Sequence, residues 1–440
     1  MFRKLSLSVA LVMVLGAALV ALAPVAAQEE TVNLRLATWD DENAAKVTQV
    51  VLDGFMEKYP NITVVNEPLG DDAHVKLLTQ LAAGTAADVV MVDSGFLGLV
   101  KDFLMPLDDL IADPEVGLNV DDYYPEILAV GAIDGVQYLL NKDYATTVAI
   151  INTGMMEAAG LELPEDGWTY EDYLYYAQLM TLDANGNNAL SPDFDPDNIV
   201  QYGTRTMGTW ARAFQTAIFT FGSHTISPDG TTAEGYINSP EAVAAFEWYR
   251  DLVHEYHVAP TLAVADAFEG NMMGDGFVAM YPFYGPWFYT AWTENPDLSF
   301  AAVPPPSRED GFRESTICWA GFGLNAATEH PEEAWLLLRE LGSEPGQKAY
   351  GGGYALSAYR PLMEEAGMVD HPFFGVFLAE AAHVGVHDDA LNPHYVECIE
   401  EGVVDLLELL LGDEGAGVDP KPYLDEIAAA SPECLAQSAE

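Results

Sequence analysis

Between Val32 and Asp93 the chain alternates strand-like and helix-like patterns, and this alternation leaves few folds open. Val32-Asn33-Leu34-Arg35-Leu36-Ala37-Thr38-Trp39 alternates as a strand and ends on Trp39-Asp40. A helix pattern follows and stops at Pro60, and Ile62-Thr63-Val64-Val65 reads as a second strand. Val75 to Ala83 reads as a helix closed by Gly84. Asp88-Val89-Val90-Met91-Val92-Asp93 is nearly all apolar, as a parallel strand covered on both faces should be. Strand, helix, strand, helix, strand predicts an open α/β sheet. Ligands of such sheets gather beyond the carboxyl ends of the strands. Those ends carry Trp39, Asp40, Asp93 and Ser94.

A second informative stretch is Gly274 to Trp292. Phe277-Val278-Ala279-Met280-Tyr281 reads as a short buried strand, and Pro282, which cannot donate to a ladder, should end it or mark an edge. Gly285-Pro286 then makes a turn that sets Trp287 on the lip of a helix start, beside Tyr284.

Composition narrows the class. Met1 to Ala27 has Arg3 and Lys4, an apolar run from Leu5 to Leu22, and small residues at Val25-Ala26-Ala27, the pattern of a secretory signal. The mature chain is expected to be exported, soluble and free of a lipid anchor, because no Cys stands near the cleavage point. Retention of the segment as a membrane anchor is the alternative. What remains is too long for one ordinary core and suits two lobes. Lys and Arg number 17 against 69 Asp and Glu, a net charge of −52, which opposes nucleic acid and anionic membranes as partners. The acids are dispersed, as on a solvated surface. Of the three cysteines, Cys398 and Cys434 are the expected disulfide, and Cys318 is expected to be a buried free thiol beside Trp319.

The succession Ala87-Asp88-Val89-Val90, Leu107-Asp108-Asp109-Leu110, Asp134-Gly135-Val136-Gln137-Tyr138-Leu139 and Ile150-Ile151-Asn152-Thr153-Gly154 resembles the extracellular solute-binding proteins of carbohydrate ABC importers, the maltodextrin-binding type. Trp168-Thr169-Tyr170-Glu171-Asp172-Tyr173 looks like that family's Trp-containing helix start, with Thr169 as N-cap. Gly285-Pro286-Trp287, Ala320-Gly321-Phe322-Gly323-Leu324 and His330-Pro331-Glu332-Glu333-Ala334-Trp335 extend the match. The resemblance implies a two-lobed periplasmic-binding-protein fold, each lobe an open, mostly parallel sheet flanked by helices, with about three hinge crossings. It places residues 28–145 and 281–324 in lobe 1, and 146–280 and 325–440 in lobe 2. It further implies that the segment holding Trp210 and Arg212 lines the cleft from lobe 2. The implied partners are a small sugar and the permease subunits of the importer, with the binder a monomer. Val92 stands where maltodextrin binders tend to carry an aromatic, which argues against maltodextrin itself and leaves mono- or disaccharides, or glycerol-phosphate-like ligands, open, the few cations expected in the cleft weighing against a phosphorylated one.

A sugar asks for two kinds of surface. Asp40, Asp93, Ser94 and Arg212 can meet its hydroxyls, while Trp39, Trp210, Tyr284, Trp287 and Trp319 can stack on its C–H faces, and Gly321 is a further ligand-binding candidate. No cofactor or metal is expected: His383, His387 and His394 are interrupted by Gly385 and Pro393, and Asp183-Ala184-Asn185-Gly186-Asn187 has its glycine misplaced for a calcium loop. The chain is not expected to be an enzyme, since it has no Gly-x-Ser-x-Gly, His-Glu-x-x-His or phosphate-cradling loop. A secreted glycosidase using two carboxylates, and a receptor for polyamines, are the alternatives.

Overall fold

A computed structural model describes residues 31–40, 42–70, 73–206, 208–351, 355–385 and 387–436. The expected signal segment lies outside them. The chain opens with β1 (Val32–Thr38), α1 (Glu42–Lys58), β2 (Ile62–Pro68), α2 (Ala73–Ala82), β3 (Val89–Asp93) and α3 (Ser94–Val100). Strands β4 (Leu139–Thr146) and β5 (Val148–Asn152) are separated by Thr147 alone. Further on come helix α4 (Ala211–Phe221), β6 (Met280–Tyr284), β7 (Phe300–Val303) and β8 (Ile317–Leu324).

Two sheets organise these strands, one per lobe of an α/β fold. The first has the order β2-β1-β3-β8-β4. Its β1 runs parallel to β2 and β3, while β8 is antiparallel to β3 and β4. Residues Val89 to Val92 are buried throughout, because helices cover both faces at β3. The second sheet, β6-β5-β7, is antiparallel instead of mostly parallel. Long excursions join its strands: α4 and other helices lie between β5 and β6, and a short helix over Tyr289–Thr293 lies between β6 and β7.

Strand placement also redraws the expected lobe boundaries. The stretch expected to return to lobe 1 at residue 281 stays in the second sheet, since β6 and β7 both pair with β5. Return to the first sheet comes between Val303 and Ile317. Beyond β8, helices α5 (Pro331–Gly342) and α6 (Glu344–Tyr350) pack on the first sheet, with Trp335, Leu338 and Tyr350 in one core with Leu34, Phe55 and Met91. Residues 331–350 therefore sit with lobe 1.

Local chemistry explains several boundaries. Pro282 lies inside β6 without ending it, because the pairing register slips between Tyr281 and Tyr284 and no ladder donor is demanded there. Thr169 caps the helix over Tyr170–Met180 in a reciprocal box with Asp172. Asp183 accepts from the backbone of Asn185, Asn187 and Asp195, which makes its loop a hydrogen-bonded turn. Cys398 and Cys434 form a disulfide with Cα atoms 5.7 Å apart, and Cys318 is free. No helix among the described residues is long and apolar enough to cross a membrane.

Candidate functional site

The carboxyl ends of β1 and β3, the middle of β4 and the start of β8 face the start of α4, the Trp287 turn and the 387–400 segment across a cavity of about 780 Å³. Six of the ten residues singled out in the sequence line it: Trp39, Asp93, Trp210, Arg212, Trp287 and Trp319. The other four do not. Asp40 is buried behind β1, where its Oδ2 accepts the Thr48 hydroxyl at 2.5 Å. Ser94 is buried at the start of α3, and its Oγ has no hydrogen-bond partner. Tyr284 stacks on Phe288 at 4.4 Å and stands behind the indoles, 6.2 Å from Trp210 and 5.9 Å from Trp287. Gly321 is covered by the Trp319 indole, which folds over the space a Cβ would fill.

The aromatic lining comes as two walls. On the lobe 1 side, His74 stacks on Phe96 at 4.5 Å and meets Trp39 edge-on at 5.5 Å. On the lobe 2 side, Trp210 and Trp287 meet edge-to-face at 5.7 Å. Gly285 is required here, since a Cβ would stand 2.5 Å from the Trp287 ring. Both indoles are half-buried and line the cavity. Trp319 is buried, its Nε1 donating to the Ile127 carbonyl at 2.9 Å, and so belongs to the floor.

The polar lining is mostly carboxylate. Asp93 caps α3 by accepting the Phe96 N–H at 2.9 Å and pairs with His74 Nε2 at 2.8 Å. Burial alone would lift the Asp93 pKa, but the His74 bond, the charges of His74 and Arg212 and the Phe96 N–H hold it below the usual carboxylate range. Burial opposes protonation of His74, and the Asp93 contact overrides it and raises the imidazole. Asp143 is held by the buried Lys142 ammonium at 2.6 Å. Arg212, at the first turn of α4, places Nη1 2.7 Å from Asp389 Oδ2 and 2.8 Å from His387 Nδ1. His387 also meets the Ile317 N–H through Nε2 at 2.9 Å, and burial drives its pKa down to about 3, so the ring is neutral. A neutral imidazole has one acceptor nitrogen, so the ring accepts from only one of these two donors, while Arg212 Nη1 also has Asp389 Oδ2 and, at 3.4 Å, Gln215 Oε1. Asp389 Oδ1 is buried without a hydrogen-bond partner. Gly95 of α3 lies against the Asp389 carboxylate with no room for a Cβ, which brings the lobes together at this point.

Glu400 ends a π-helical turn, Val396–Glu400, and lines the same cavity. It has no hydrogen bond or ion pair among the described residues. Burial pushes its pKa up to about 6, Asp389 and Asp93 add to the rise, and Arg212 opposes it. Cys318 also lines the cavity, its thiol pushed up to about 12 by burial.

The sequence reading did not name His74, Phe96, Asp143, Asp389 or Glu400. His74 and Phe96 carried a usable signal, since each follows closely on a strand end that the alternation had located. Asp389 and Glu400 carried none, because nothing local marks where their segment meets the sheet ends. Two of the three histidines of that region have separate partners: His387 faces Arg212, and His394 bonds Glu397 at 2.7 Å. Tyr395 is core, its hydroxyl shared with Thr225 and Gln215.

Residues 51–372 match the family described as bacterial extracellular solute-binding protein. Among solved structures, the chain is similar to an ABC substrate-binding protein from Listeria monocytogenes in complex with cycloalternan, at 18% identity and a TM-score of 0.77 over 92% of this chain and 99% of that one. It is also similar to an ABC transporter solute-binding protein from Thermotoga lettingae bound with α-D-tagatose, at 21% identity and a TM-score of 0.74 over 92% and 100%. A Mycobacterium tuberculosis protein in complex with glycerophosphocholine matches at 16% identity and a TM-score of 0.74 over 92% and 98%. At these identities the likeness is one of fold.

Proposed function

The chain belongs to the bacterial extracellular solute-binding protein family, and from that premise we propose that it captures a sugar of one to a few units between its lobes and delivers it unaltered to the membrane subunits of an ABC importer. The observation that carries this reading is one cavity whose lining draws indoles, carboxylates and a guanidinium from both lobes. About 780 Å³ falls within the range that encloses a small molecule. The indoles of Trp210 and Trp287 suit the C–H surface of a pyranose, each stacked ring contributing about 1 kcal/mol beyond area burial. Asp93, Asp389 and Glu400 suit its hydroxyls, as charge-assisted acceptors roughly twice as strong as neutral ones.

Binding and closure follow from the same parts. Contacts on opposite walls are both made only when the lobes approach, so the ligand favours the closed form by the affinity difference between the two states. A phosphorylated ligand fits less well, because the cationic side chains lining the cavity, Arg212 and His74, are each already committed to a carboxylate. Calorimetry of the exported chain against a carbohydrate library tests the reading. Binding of a sugar at micromolar or tighter affinity, with a smaller radius of gyration in solution scattering on saturation, is the expected result. Turnover of glycosides, or binding of spermidine with no sugar binding, would overturn it.

A further inference from the structure

We infer that the cavity selects a sugar carrying a cationic nitrogen, an amino sugar over its neutral counterpart, with Glu400 as the carboxylate that meets the ammonium group. This rests on the sugar reading and narrows it to a substrate class.

The first observation is the balance of charge. Asp143 is neutralised by Lys142 at 2.6 Å. That leaves Asp93, Asp389 and Glu400 facing Arg212 and a protonated His74, three carboxylates against two cations. Asp93 has His74 at 2.8 Å and Asp389 has Arg212 at 2.7 Å. Glu400 has neither ion pair nor hydrogen bond among the described residues, so the surplus negative charge resides on it. If His74 is neutral the surplus is larger.

The second observation is a shortage of donors. Asp389 Oδ1 makes no hydrogen bond, the nearest donor atom being His387 Nδ1 at 3.7 Å, on a buried side chain whose residue lines the cavity beside Arg212. An ammonium group supplies three donors and a full charge, whereas a hydroxyl supplies one donor and none. Closure removes water from Glu400, and a buried carboxylate without a counter-charge is costly. The rise of its pKa to about 6 in the unliganded protein is the same cost seen through proton affinity.

The third observation is the aromatic surround. Trp39, Trp210 and Trp287 line the cavity that holds the carboxylates, and an indole face attracts a cation as well as a C–H surface. Sugar ring and ammonium group are thus both accommodated, while the net negative charge of −52 over the whole chain favours approach of a cation from any side.

The test is calorimetry at pH 7.5 with the exported chain and matched sets: glucose, glucosamine and N-acetylglucosamine, then cellobiose, chitosan dimer and chitobiose. The amino member of a set should bind at least about tenfold more tightly than the neutral and N-acetylated members. In Glu400→Gln the preference should vanish, the amino and neutral members of a set binding within about threefold of each other. Equal or tighter binding of the neutral or N-acetylated member overturns the inference and leaves the sugar reading standing. So does a Glu400→Gln protein that melts like the parent and keeps the amino preference. Failure of every sugar, spermidine binding included, overturns the sugar reading and this inference with it. The matched comparison in the parent needs no variant and decides the question by itself.

Discussion

Arg212 and Arg313 are both nearly buried arginines held against a carboxylate, with side chains 13% and 7% exposed. Arg313 Nε lies 3.0 and 3.2 Å from the two oxygens of Glu380, its Nη1 lies 2.6 Å from Asp166, and the Ser315 hydroxyl completes the Glu380 shell. Both oxygens of the buried Glu380 are used there, and none of these residues lines the large cavity. Around Arg212 the matching is looser: Asp389 Oδ1 has no donor atom nearer than His387 Nδ1 at 3.7 Å, and His387 cannot accept from both of its neighbours. A closed polar network holds structure, and one left open toward a cavity is preorganised for something that arrives. Burial of a charge pair alone would not have told the two apart.

The sharpest way to break this comparison is Arg313→Ala. It should cost about 3 kcal/mol of stability in denaturant unfolding, because Glu380 keeps its burial and loses its counter-charge. Ligand affinity of the folded fraction should not change. A stability loss under about 1 kcal/mol would mean that the satisfied network is not what holds that region. Next in size is Trp287→Ala, expected to weaken sugar binding by about thirtyfold, roughly 2 kcal/mol, with a smaller loss of stability. Unchanged affinity by calorimetry would remove the lobe 2 wall from the site.

Asp93→Asn should weaken binding by about tenfold and return His74 toward an ordinary imidazole pKa, read by NMR titration. In the parent the Asp93–His74 pair contributes only within a window. As pH falls through the lowered Asp93 value the carboxylate is neutralised and the contribution is lost. As pH rises through the raised His74 value, above the ordinary 6.5, the imidazolium is lost and the contribution goes with it. The smallest effect belongs to Glu400→Gln without ligand. An acid whose folded pKa is raised to about 6 loses stability as pH rises from its unfolded value through that point. The variant should therefore melt a degree or two higher than the parent at pH 7.5, about 1 kcal/mol, and alike at pH 4. Identical melting at both values would deny that Glu400 is held at a cost.

What was legible in the sequence follows the range of each physical signal. Period-two and period-3.6 patterns are local, so β1 to β3 and the ends that carry Trp39 and Asp93 could be read directly. The Gly285-Pro286 turn placed Trp287 for the same reason. Lobe boundaries were less legible, because the pairing of Met280–Tyr284 with Val148–Asn152 depends on partners about 130 residues away and leaves no mark within either strand. Asp40 shows how a strand-end rule overshoots: one residue beyond Trp39, its side chain turns inward to Thr48. Asp389 and Glu400 reach the cavity through a segment of short turns and a π-helical turn, a geometry that no hydrophobic period announces.

Gly95, pressed against Asp389 with no space for a side chain, has a consequence for control. A single methyl group at that position would shove the Asp389 carboxylate, itself part of the cavity wall, and would wedge the two walls apart at the same point. The fit of the two walls is thus metered partly by one missing carbon.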